Sequence, residues 1–161
     1  MMTRRTFSRI AAFFSSFLFG HSANSATGSS RSLREDIPIA ADWISQALKS
    51  SGYDANFTPA SIAEIERFFS EQVIEGQPRR NGLLAQDLGK RLFAVGGYCG
   101  EVLRKELGGT WITDDDDPEG EINVTLELGN GVTCWPVQRV IKRLRSDEDN
   151  LVHWANSIRR G

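Results

Sequence analysis

The chain is poorest in the residues that do most enzyme chemistry. Two of its 161 residues are histidine and only His153 lies beyond residue 30, too few to build a histidine-rich metal site in one chain. There is no G-x-S-x-G elbow, no phosphate-binding glycine loop, no H-E-x-x-H, no C-x-x-C and no dinucleotide fingerprint. The usual signatures of acyl transfer, nucleotide chemistry, zinc proteolysis and dithiol exchange are therefore missing. A Cys-His nucleophilic pair would need Cys99 or Cys134 beside His153. Cys99 falls on an apolar helical face and Cys134 in a strand, poor settings for an exposed thiolate. The one charge-free apolar run, residues 10–20, is about half the roughly twenty residues that cross a bilayer as a helix, so no stable membrane span is expected.

What is present begins with a leader. "MMTRRTFSRIAAFFSSFLFGHSANSATGSS" holds three arginines and no acid. A basic stretch ending at Arg9, the apolar run and the small residues Ala23, Ser25 and Ala26 are the parts of a signal peptide, cleaved after Ser25 or Ala26. Arg4, Arg5 and Phe7 match the twin-arginine export motif, while Ser8 departs from the apolar residue favoured there. A general secretory signal with two adjacent arginines is the alternative, and either route leads to a periplasmic or extracellular protein. Cleavage removes three positive charges from a chain of formal net charge −2, leaving the mature part near −5 and disfavouring nucleic acid as a partner. In an oxidising compartment Cys99 and Cys134 can pair, and closing that loop would stabilise the fold by about 2–4 kcal/mol. Two separate buried thiols are the alternative.

Residues 27–37 lack periodicity and read as a flexible tether, which leaves 38–161 as a single domain. A short first helix places Ile39, Trp43, Ile44, Ala47 and Leu48 at helical spacing and closes on Gly52. A second has Thr58 as N-cap, Pro59 in its first turn, a stripe of Ile62, Ile65, Phe69 and Val73, and Gly76 at its end, before a loop in "EGQPRRNG". The third, residues 83–107, is long and glycine-rich. Only Asp87, Lys90, Ala94, Gly97, Glu101 and Arg104 read as solvent-facing, and Gly89, Gly96 and Gly100 share a face that suits one close-packed neighbour. The period then changes from 3.6 to 2: "TWIT", "INVTLEL" and "VTCWPV" predict an antiparallel sheet of about three strands. Pro136 opens a helix burying Val137, Val140, Ile141 and Leu144 and exposing Arg139, Lys142, Arg143 and Arg145. Ser146 with Asp149 reads as the cap of a last helix burying Leu151, Trp154, Ala155 and Ile158. Three helices, a small sheet and two helices make an α+β fold.

Three features carry the functional expectation. Glu101 is surrounded by small residues, yet Arg104 and Lys105 lie at the i+3 and i+4 spacing of ordinary surface pairs. Asp114, Asp115, Asp116 and Asp117, with Glu119 and Glu121, have calcium-type oxygens, but the closing ligand position of an EF-hand falls on Leu126 and the flanks are strands. A solubilising strand connection, or one touched by a partner, fits better, and neither metal nor cofactor is expected. The basic helix at 139–145 lacks interleaved aromatics and reads as a solvated face.

The segments "LGKRLFAVGGYCGEVLRKELGGTW", "DPEGEINVTLEL" and "WPVQRVIKRL" resemble a family of small bacterial domains with no established activity, over residues 82–154. The resemblance implies one compact domain. It also implies apolar residues where Cys99 and Cys134 stand, which suits two cysteines acquired as a pair. The expectation is a non-catalytic binding domain of the cell envelope, immunity-type as a special case, engaging a protein or envelope partner through Glu101, Trp111 and the four aspartates. The alternative is a hydrolase of envelope polymers using Glu101 and a loop carboxylate.

Overall fold

Ser32 starts the first helix. In the computed structural model, which describes residues 31–161, its hydroxyl accepts from the Glu35 N–H while the Glu35 carboxylate accepts from the Ser32 N–H, a capping box. The export motif at Arg4, Arg5 and Phe7 and the cleavage positions lie outside the described residues. Helix α1 therefore runs Leu33–Ser50, and the segment expected as a tether is helical from Leu33 onward. Pro38, the first residue of the expected domain, sits inside the helix with its ring exposed, so the missing N–H costs one hydrogen bond on the solvent side. The buried stripe is Ile37, Ala40, Ala41, Ile44 and Leu48, while Ile39 and Trp43, expected in the core, are exposed.

Pro59–Ser61 form a 3₁₀ turn leading into α2, Ile62–Gln72. The Thr58 hydroxyl turns back to Asn56 Oδ1 and caps nothing. Ile62, Ile65, Phe68 and Phe69 are buried, while Val73, expected in the helical stripe, begins strand β1 (Val73–Ile74). β1 pairs antiparallel with β2 (Gln77–Pro78) across Glu75 and Gly76, both at positive φ as a two-residue hairpin turn requires.

Helix α3, Leu88–Leu107, begins five residues later than the periodicity predicts and is the centre of the molecule. Residues from Leu92 to Leu103 are buried on every side, so Ala94, Gly97 and Glu101, expected to face solvent, are enclosed. The reason lies in its neighbours. α1 lies along one side, with Ile37 against Gly97, and Val137 and Trp111 close the other against Gly96 and Gly100. Of the glycines expected to share one neighbour, Gly96 and Gly100 both meet the Pro136–Val137 segment, and Gly100 admits Trp111 as well.

The sheet is antiparallel in the order β3 (Gly109–Ile112), β4 (Thr125–Leu128), β5 (Thr133–Cys134), with Trp111 opposite Leu126 and Leu126 opposite Cys134. The strand expected from Ile122 starts at Thr125, because Gly120–Asn123 form a helical turn, α4. Helices α5 (Pro136–Arg145) and α6 (Leu151–Arg160) bury the residues their periodicity predicts. The cap of α6 is Asn150, whose Oδ1 accepts from the N–H groups of Val152 and His153, and not Ser146, which ends α5. Arg143 is buried rather than exposed. It donates to Glu66 at 2.7 Å, and the second Glu66 oxygen accepts from the Leu151 N–H at 2.9 Å. Cys99 and Cys134 form no disulfide; each is a buried free thiol packed as a small apolar residue, which corrects the pairing expected in an oxidising compartment. The described residues form an α+β fold of six helices with a small antiparallel sheet, and no helix among them is long and apolar enough to cross a membrane.

Candidate functional site

Of the residues singled out by sequence, Glu101 and Trp111 are brought together and the aspartates are not. Strand β3 lays the Trp111 indole over Gly100, where a Cβ would collide with the ring, and the indole N–H donates to Glu101 Oε1 at 2.7 Å. Arg104, one turn along α3, donates from Nε to the same oxygen at 2.8 Å and from Nη2 to Oε2 at 2.9 Å. Burial opposes the Glu101 charge, but the hydrogen bonds from Arg104 and Trp111 outweigh it and hold the carboxyl below its ordinary range. Glu101 is 4% and Trp111 5% exposed, so neither is presented to a partner. A general acid needs a raised pKa and an oxygen free to meet its substrate, and Glu101 has neither.

Three of the four aspartates accept from backbone N–H groups with their side chains. Asp114 Oδ1 accepts from the Asp116 N–H, and Asp117 accepts from the Glu119 N–H and the Asn123 amide, which holds its carboxyl low. Asp115 reaches the N-terminus of α1 and accepts from the Leu33 N–H at 2.8 Å. The N-terminal half-charge of an 18-residue helix favours an anion there. Nearby, Asp36 is pushed up by burial and by Glu35 and Asp115, with Arg31 at 3.4 Å opposing. Glu121 is pushed up by burial and by Asp117 and Asp36, against a backbone hydrogen bond. Among the described residues no group of three or more His, Cys, Asp or Glu side chains is placed to hold a metal ion. Burial raises the Cys134 thiol to about 12 and pushes Cys99 up as well, which leaves both protonated at neutral pH.

The surface feature that sequence reasoning missed is Trp135. It is 46% exposed at the start of α5, on the rim of a cleft of about 200 Å³. Thr133 of β5 forms one wall, Gln138, Arg139 and Lys142 of α5 another, and Trp154 of α6 a third. Arg139 Nη1 is held by Asp149 at 3.0 Å, whereas its buried Nε has no hydrogen-bond partner. Lys142 is exposed. Gln138 is fixed through Asn123 Oδ1 at 3.2 Å. Interleaved aromatics are absent from the basic helix itself, and the fold supplies them from the residue before it and from α6. A larger hollow beside the β1–β2 hairpin is lined by Gln72 at the end of α2 and by Ile74, Gln77, Arg79, Arg80 and Asn81. No family model, curated protein or solved structure matches the chain.

Proposed function

We propose that the protein is a non-catalytic binding domain, exported by the twin-arginine or the general secretory route, which engages a protein or cell-envelope partner in the periplasm or outside the cell. An immunity-type role, neutralising one protein partner, is a special case. The observation that carries the reading is the exposed Trp135 beside Arg139 and Lys142, on walls made by two helices and an edge strand. Tryptophan and arginine are the residues in which binding energy concentrates at protein interfaces. The contact surface is thereby moved from the acidic loop, where Asp114, Asp115 and Asp117 hold backbone in place, to the cleft. Kinship with the family of small bacterial domains belongs to the same proposal and rests on the motifs quoted above. The hydrolase alternative gains no support from Glu101, whose two oxygens are occupied by Arg104 and Trp111.

The test is capture from envelope extract, identification of the captured partner, and titration of that purified partner against wild type, Trp135→Ala and the loop double variant Asp116→Asn/Asp117→Asn. Trp135→Ala is expected to weaken binding by about tenfold or more while the loop variant binds as wild type. Equal binding by all three would remove the cleft from the reading.

A further inference from the structure

We propose that the Trp135 cleft receives an acidic peptide segment of a protein partner, with one bulky apolar side chain seated between Trp135 and Trp154. The proposal rests on the binding reading and deepens it by naming the partner chemistry. The cleft volume of about 200 Å³ suits one large side chain rather than a run of sugar rings or a folded element. Among the described residues that line it, the charged ones are Arg139, paired with Asp149, and the exposed Lys142, at neighbouring positions of one helix face. That is a local reversal in a chain that is acidic as a whole. An acidic segment meets attraction there and repulsion over much of the remaining surface, which selects site and orientation more than it adds affinity.

The exposed cation on the rim, Lys142, favours a peptide carboxylate. Arg139 is anchored through Nη1 by Asp149, so the guanidinium is already oriented, and Lys142 beside it is exposed. A bare inorganic anion would use these donors and leave the exposed indole idle. An uncharged apolar segment would use the indole and leave the exposed Lys142 without a counter-charge. Only a ligand with both parts answers the whole lining.

The experiment titrates a labelled, end-blocked acidic heptapeptide with one central phenylalanine into the purified protein by fluorescence anisotropy. A glutamine-for-glutamate version, a leaderless polyaspartate of equal length without phenylalanine, and an acidic trisaccharide of uronic acids serve as the other arms. Binding of the phenylalanine peptide is expected, weakened about tenfold by Trp135→Ala, by Lys142→Glu and by replacing its glutamates, and weakened by salt. Circular dichroism melts verify that both variants fold; each changes an exposed side chain. No binding of the acidic peptide, equal binding of the glutamine version, or tighter Trp135-dependent binding of the trisaccharide overturns the assignment. If the captured envelope partner still depends on Trp135 in that case, the binding reading survives and the acidic-peptide inference alone fails.

Discussion

Glu101 keeps a charge in a place where burial alone would remove it. Two donors from Arg104 and one from Trp111 stabilise the carboxylate, and removing that acceptor leaves a buried indole N–H unpaired. Glu101→Ala is therefore expected to lower stability by about 1–3 kcal/mol in urea unfolding, and Glu101→Gln by less, because its amide oxygen can still meet the indole. A folded pKa depressed below the unfolded one means that this stabilisation is present above the unfolded pKa and is lost as pH falls through the folded value. Asp36 has the opposite sign. Its raised folded pKa penalises the charged form, so its cost is absent below the unfolded pKa of about 3.8 and grows as pH rises through the folded value. Asp36→Asn should raise the melting temperature at pH 7 and leave it unchanged near pH 3; a decrease at pH 7 would show that the Arg31 pair outweighs burial.

At the scale of elements, α3 is held by close approach rather than by propensity. A Cβ on Gly96 would stand 2.6 Å from the Val137 Cα, which is backbone and cannot step aside. Gly96→Ala is expected to destabilise by about 1–3 kcal/mol, overriding the helix-propensity gain of about 1 kcal/mol. Gly97→Ala is the internal control. Its Cβ would meet Ile37 at 3.4 Å, ordinary contact, so the same substitution one residue along should be neutral or mildly stabilising by equilibrium unfolding. The 3.6-residue period of α3 was legible, but not which face was free. A helix enclosed by α1, β3 and α5 has no free middle, and the polar residue at its centre is served by a partner ten residues away in a strand. Likewise the capping box Ser32-x-x-Glu35 was present in the sequence, but it stands in a segment without hydrophobic periodicity, which reads as a tether.

For the whole molecule, distant elements are tied by carboxylates that terminate helices they do not belong to. Asp115 accepts from the first N–H of α1, and Glu66 of α2 from the first N–H of α6 while pairing with Arg143 of α5. Asp115→Ala should cost about 0.5–2 kcal/mol of stability, whereas Asp116→Ala, which loses no side-chain contact, should be near zero in the same melt. The thiols test the packing globally. Without reductant, alkylation should label neither Cys99 nor Cys134 in the folded protein and both in denaturant, with no mass change on reduction. Two labels lost without reductant in denaturant would establish a disulfide instead.

Short-range pattern determined what each segment of this chain would become. Alternation, helical periodicity and prolines are local properties, and they sufficed for the α+β class and for the apolar faces of α5 and α6. Tertiary structure decided which charged and aromatic residues reach solvent. Glu101, Trp111 and Arg143 went inside because hydrogen-bond partners from other elements met them there, Asp115 was drawn to the α1 N-terminus 82 residues away, and Trp135 was left on the surface beside Arg139 and Lys142. Such pairings depend on contacts between segments far apart in the chain, and no local spacing encodes them.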